Sequence, residues 1–179
     1  MTGTTVGLAA LLAFVGASSV LAQTGDTDWR SYGVTQDGKE AMFFDAAGVV
    51  RWPDGHVEVW TKQLSQDDMV RAANAKSTRP KILALAQQIL ARRPQPETAD
   101  DPNAQNGVAV MEAAADVGDI QPLSRALFEL DCVNRRARPL SVYGVFHGKR
   151  LDPSVAGHWA PIPPETAVAY LLKVLCTQH

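Results

Sequence analysis

The chain has 179 residues, of which 46% are apolar and 20% charged, and its formal net charge is −2. This composition fits a folded domain that buries a core. The charge leaves no basic surplus for a nucleic-acid partner, because binding to phosphates depends on Lys and Arg. The four histidines show none of the close spacings of a zinc site, so we expect no metal site. No other cofactor is expected either.

The first 22 residues are typical of an export signal. Residues 6–15 form an apolar run of the length of a signal-peptide core, and Val20-Leu21-Ala22 places small or modest side chains where a signal peptidase cleaves. We therefore expect a signal peptide over 1–22 and a single domain over 23–179. The basic residue that usually precedes the apolar run is missing. A retained membrane anchor is the alternative, although glycine and serine dilute the second half of the segment.

Residues 28–64 predict an antiparallel meander. Turn residues occur at Gln36-Asp37-Gly38 and at Pro53-Asp54-Gly55, where tight reversals need glycine or a fixed φ. The second turn predicts a hairpin that joins the strands containing Trp52 and Trp60. Strand-forming residues, in part with period-two alternation, fall at 29–34, 41–45, 49–52 and 57–61.

Residues 65–121 change to a helical pattern. Ser65-Gln66-Asp67-Asp68 has the spacing of a capping box and predicts a short helix to about Asn74. Apolar residues then recur at helical spacing from Ile82 to Leu90, until Pro94 ends the run. We expect a loop over 94–107 and a third, alanine-rich helix over 108–117.

The remainder predicts two strands, at 123–133 and 140–146, and a final helix. His147-Gly148 is the expected turn after the second strand, and several prolines hold an extended segment before the helix. The helix covers 166–176. Its expected core face consists of Ala167, Tyr170, Leu171, Val174 and Leu175.

Cys132 and Cys176 are the only cysteines of the chain. An even cysteine count in an exported domain predicts a structural disulfide. This bond would join a late strand to the final helix. The alternative is a nucleophilic thiol with His147 or His158 as its base, but neither cysteine lies in a known nucleophile motif.

Several short motifs together resemble the surface-adhesin protein E family of Gram-negative bacteria. They are Trp29, Val59-Trp60-Thr61-Lys62, Leu130-Asp131-Cys132 followed by Arg135 or Arg136, Tyr143-Gly144, and Trp159-Ala160-Pro161-Ile162-Pro163-Pro164-Glu165-Thr166 leading to Leu175-Cys176. The resemblance implies an α+β fold, with an antiparallel β-sheet and a C-terminal helix tied to it by a disulfide. It also implies adhesion to host matrix proteins such as laminin and vitronectin. The helical stretch over 65–121 departs from the family pattern and is interpreted as an insertion.

No linear motif indicates catalysis. The chain lacks GxSxG, HExxH, GxGxxG and phosphate-loop patterns, so we expect neither an enzyme nor a small-molecule substrate.

Two tryptophans and two arginines are the candidate binding residues. We expect Trp29 and Trp159 to pack in the core between the sheet and the terminal helix. Trp60 lies on the opposite parity to Val57 and Val59, so it is exposed if those valines face the core. The candidates for a binding surface are Trp52, Trp60, Arg135 and Arg136.

These observations predict an exported binding protein without catalysis, in the periplasm or at the outer-membrane surface, whose partner is another protein. The alternative is a periplasmic envelope-maintenance or stress protein that docks a bacterial partner through the helical insertion, with Ile82, Leu85 and Ile89 facing outward. Homodimerisation through an edge strand stays open.

Overall fold

The structure is a computed structural model that describes residues 27–92, 102–117, 120–146, 149–151 and 157–176. The predicted signal at 1–22 and the predicted turn at His147-Gly148 lie outside these residues.

The described strands form one antiparallel sheet in the order β1-β2-β4-β5-β6-β7, with β3 paired to β4 and β8 paired to β6. The strands are Trp29–Val34 (β1), Glu40–Asp45 (β2), Val50–Arg51 (β3), His56–Ser65 (β4), Ser124–Asp131 (β5), Arg136–Phe146 (β6), Lys149–Leu151 (β7) and Ala160–Pro161 (β8). The helices are Gln66–Asn74 (α1), Arg79–Arg92 (α2), Pro102–Asp116 (α3) and Ala167–Cys176 (α4). The predicted α+β fold is confirmed.

Helices pack on both faces of the sheet, because neighbouring strand residues point in opposite directions and carry apolar side chains to each face. Phe43 packs with α1, α2 and α3, which we call the helical layer, while Phe44 packs with α4. In β4, Leu64 faces the helical layer, whereas Val57 and Val59 face α4. The molecule is therefore a three-layer sandwich with a separate core on each side of the sheet.

The helical layer starts as predicted and departs from the prediction later. Ser65 caps α1 by accepting a hydrogen bond from the backbone N–H of Asp68 at 3.4 Å. The predicted loop over 94–107 is wrong at its end, because α3 begins at Pro102. Proline is compatible with a first helical turn, since the N–H it lacks has no partner within the helix there.

The second half of the sheet also differs from the prediction. β6 begins at Arg136 instead of 140, because Arg136 pairs with Asp131 across the turn that joins β5 and β6. Pro139 is accommodated at an irregularity in this pairing, which is where a sheet tolerates proline. Cys132 lies one residue past the end of β5.

The core face of α4 is rotated from the predicted one. Leu171, Leu172 and Leu175 are buried. Tyr170 and Val174 were expected in the core but are 51% and 38% exposed. Because α4 is apolar on most of its surface, its sequence pattern fits both the predicted and the observed rotation about the helix axis. Packing against the sheet therefore determines which residues are buried.

Two carboxylates of α3 cover the outer edge of β1. Glu112 accepts a hydrogen bond from the backbone N–H of Ser31 at 3.0 Å, and Asp116 accepts one from that of Trp29 at 3.4 Å. The acids are four residues apart and so lie on one side of the helix. They satisfy backbone donors that an edge strand otherwise presents to other chains. This part of β1 is therefore not free to pair with a second copy.

Lys62 joins the sheet to the same helix. Its ammonium group donates a hydrogen bond to the carbonyl of Ala115 at 2.6 Å and lies 4.0 Å from the centre of the Trp29 ring. Burial lowers the pKa of Lys62 to about 8, although the nearby Asp116 opposes the shift.

The hairpin that joins β3 to β4 is held at two points. The carbonyl of Gly55 at its tip accepts a hydrogen bond from the backbone N–H of Cys132 at 3.2 Å. Arg51 donates one to the carbonyl of Leu175, near the C-terminus of α4, at 2.8 Å. Cys132 and Cys176 form the predicted disulfide, with their Cα atoms 5.5 Å apart.

We expect the double substitution Cys132→Ser and Cys176→Ser to lower the free energy of unfolding by about 4 kcal/mol, because the disulfide closes a long loop in the unfolded chain. Urea unfolding of the variant and the oxidised wild type measures the difference. Reduced wild type is the control and should match the variant. A loss below about 1 kcal/mol would contradict the clamping role of the disulfide.

Burial raises the pKa of Asp116 from 3.8 to about 6, against the opposing hydrogen bond from Trp29. Between these values the folded state binds more protons than the unfolded state, so the free energy of unfolding falls as the pH rises. Asp116→Asn keeps an acceptor oxygen and cannot titrate. We expect it to remove about 2 kcal/mol of this fall, a figure reduced for the partial exposure of the group. Urea unfolding between pH 3.8 and about 6 tests this. Equal pH slopes in both proteins would show that another group is responsible.

Candidate functional site

The helical layer leaves part of its sheet face uncovered. Along β4, His56, Glu58, Trp60, Lys62 and Leu64 point to this face. Leu64 is buried under the helices, but near the hairpin Val50 and Trp52 are 46% and 50% exposed. We call this part of the sheet face, which no described helix covers, the open face. It is defined by the side chains of Val50, Trp52, His56, Glu58, Glu129, Asp131, Arg136, Arg138 and Trp159.

Two ion pairs between β5 and β6 form the centre of the open face. Glu129 lies opposite Arg138 and Asp131 opposite Arg136 in the strand register. The guanidinium nitrogens lie 2.5 Å from the Glu129 carboxylate and 2.8 Å from that of Asp131. Both acids are buried, whereas both arginines are partly exposed. The arginines therefore provide each buried charge with its partner.

The turn after β5 also stabilises Asp131. Burial alone would raise the pKa of Asp131, but hydrogen bonds from the backbone and side chain of Asn134 and from Arg136 outweigh it and hold that pKa well below its usual range. A carboxylate that accepts several hydrogen bonds strongly favours its charged form. Asp131 is therefore a fixed charge that shapes this turn.

Trp159 lies over the charged centre. The centre of its ring lies 4.8 Å from the guanidinium carbon of Arg138 and 5.5 Å from that of Arg136. It lies 5.3 Å from the centre of the His56 ring. The prediction that it packs between the sheet and the terminal helix is wrong, because it covers the opposite face and is partly exposed. Arginines stack favourably on indole rings, which explains this position.

The structure places the four candidate binding residues in different environments. Trp52 is half exposed at the open face, and its backbone N–H donates to the carbonyl of His56 at 2.8 Å. Arg136 belongs to the ion pair with Asp131, and Arg135 is exposed in the turn before it, with a φ of 53°. The structure therefore brings Trp52 and Arg136 to one face and leaves Arg135 at its margin.

Trp60 and Trp29 differ from their predictions. Trp60 does point away from Val57 and Val59, but it is half-buried because the helical layer packs on that side. The guanidinium carbon of Arg125 lies 4.8 Å from the centre of the Trp60 ring, and the centre of the Tyr143 ring lies 6.1 Å from it. Trp29 is buried as predicted, but it packs against the helical layer instead of the terminal helix.

Sequence reasoning missed the acids of the open face. Glu58 lies opposite Glu129 in the β4–β5 register and opposite Val50 in the β3–β4 register. Arg138 forms an ion pair with Glu129, whereas Glu58 has no ion pair within the described chain. The available signal was the parity of these acids: Glu58 alternates with the valines of β4, and Glu129 and Asp131 alternate with apolar residues of β5. It could be used only once the register between the strands was known.

The charged and sulfur-bearing side chains of the described residues are largely engaged with one another. Both central acids are engaged by arginines, and both cysteines are in the disulfide. Across the described ranges, no three His, Cys, Asp or Glu side chains converge to hold a metal ion. No helix in those ranges is long and apolar enough to cross a membrane.

Comparisons with protein-family models, with curated proteins and with solved structures found no match to this chain.

We expect Glu58→Gln to raise the free energy of unfolding by about 0.2–1 kcal/mol, because like charges directly opposite each other in neighbouring strands are destabilising. Thermal unfolding at neutral pH and low salt measures the change. High salt should shrink the difference, since it screens the repulsion. A destabilised variant would show that Glu58 supports the fold.

Proposed function

We propose that this protein is an exported, non-catalytic protein that binds another protein through the open face. The observation that carries this proposal is the exposed Trp52, which lies beside Val50 and a band of charged residues. This part of the sheet is covered neither by the helical layer nor by α4. Tryptophan and arginine are enriched at the centres of protein interfaces.

The disulfide and the first 22 residues support a location outside the reducing cytoplasm. Stable disulfides belong to oxidising compartments such as the periplasm or the cell surface. The apolar run and the small residues before Gln23 fit a cleaved export signal. The proposed compartment is the periplasm or the outer-membrane surface.

The resemblance to the surface-adhesin protein E family supplies the proposed partners, laminin and vitronectin. The sheet with its disulfide-tied terminal helix agrees with what that resemblance implies about the fold. Fold agreement alone does not carry function, so the open face is the stronger support.

A solid-phase assay of the purified protein on immobilised laminin and vitronectin tests the proposal. We expect saturable binding at micromolar concentration, weakened about tenfold or more by Trp52→Ala, because a tryptophan at the centre of an interface carries much of the binding energy. Tyr170→Ala is the matched control, because Tyr170 is an equally exposed aromatic on α4. Absence of saturable binding to either protein, or equal loss in both variants, would refute the proposal.

The alternative partner site is the helical insertion. Ile82 is fully buried, and Leu85 and Ile89 pack against the core, so the helix face first suggested for docking is occupied. A small apolar groove between α1 and α3, beside the exposed Val70 and partly lined by Met69 and Met111, is what favours this alternative. In that case the two matrix proteins would fail to bind, and a bacterial envelope protein would be the partner.

A further inference from the structure

The open face has an excess of negative charge at its hairpin side. Arg138 and Arg136 balance Glu129 and Asp131. Two further acids of β4 and its hairpin lack such a partner. Glu58 has no ion pair within the described chain. Asp54 lies 3.5 Å from His56, which also lies 3.3 Å from Glu129 and 3.9 Å from Asp131.

The strand register places this excess charge next to exposed apolar surface. Val50 pairs with Glu58, so their side chains lie side by side on the same face. Trp52 follows on the same parity and lies beside His56. An uncompensated carboxylate, an exposed indole and an exposed valine therefore share one end of the open face.

Glu58 lies directly opposite Glu129, and like charges in this arrangement lower the stability of a sheet. A residue that weakens the fold without a compensating contact in the free protein is typical of a functional surface.

A basic side chain matches both the charge and the apolar character of this surface. The ammonium or guanidinium group would pair with Glu58, the Trp52 ring would attract the same cation, and Val50 would contact the aliphatic part of the side chain. We infer that a Lys or Arg side chain in a basic segment of the partner protein docks on Val50, Trp52 and Glu58. This inference rests on the proposed function for one point only, that the partner is a protein.

Binding of a synthetic peptide of alternating Lys and Ser to the full, oxidised protein tests the inference. NMR would follow the indole N–H of Trp52, assigned with Trp52→Ala, and the amides of Val50 and Glu58. We expect these signals to shift with the Lys peptide, and the affinity to fall as salt rises. A matched peptide of alternating Glu and Ser should leave them unchanged.

Variants then identify the acid responsible. We expect Glu58→Gln to weaken peptide binding about threefold, in the range of an exposed ion pair, without loss of stability. Asp67→Asn is the control, because Asp67 is an exposed carboxylate on α1, away from the open face. Equal shifts with the Glu peptide, or unchanged affinity in Glu58→Gln, would overturn the inference.

The two proposals fail in different ways. If the Lys peptide binds at these residues while laminin and vitronectin do not, the basic-segment site stands and the matrix-protein function fails. If a matrix protein binds and Glu58→Gln leaves its affinity unchanged, the function stands and the site fails.

Discussion

The structure depends on a sheet that carries large apolar side chains on both of its faces. Phe43 and Phe44 are adjacent in β2 and point in opposite directions, and both are buried. If helices packed on one face only, one of these rings would be exposed to water. Full exposure of a phenylalanine lowers the free energy of unfolding by about 2 kcal/mol. The chain therefore needs two helical covers, and it supplies them from its middle and from its C-terminus.

The two covers are attached by different means. α4 is apolar on its buried side and is fixed by the disulfide and by the bond from Arg51 to Leu175. The helical layer is held by burial of small residues and by polar contacts from Glu112, Asp116 and Lys62. These polar contacts also close the edge of β1, so one helix both covers the core and protects the sheet from unwanted pairing.

Signals that lie within a few residues predicted the fold well. The Ser65 cap, the hairpin at Pro53-Asp54-Gly55 and the apolar spacing of α2 each depend on neighbours in the sequence. The rotation of α4 and the start of β6 did not follow from the sequence, because contacts with distant strands decide them.

The same division holds for the candidate site. Trp52 was identified from its place at a turn, and Trp60 was assigned to the correct side of its strand. The exposure of Trp60 and the position of Trp159 were misjudged, since they depend on which layer covers which face. The pairing of Glu58 with Glu129 joins residues far apart in the chain, and only the register of β4 with β5 brings them together.

The contacts at the hairpin connect the disulfide to the open face. The backbone N–H of Cys132 donates a hydrogen bond to the carbonyl of Gly55. Arg51 donates one to the carbonyl of Leu175, the residue before Cys176. Both ends of the disulfide thus restrain the hairpin that carries Val50 and Trp52. A loop that is already ordered loses less conformational entropy when it binds, so oxidation preorganises this surface as well as stabilising the fold. The hairpin surface is therefore more ordered in the oxidised chain than in the reduced one.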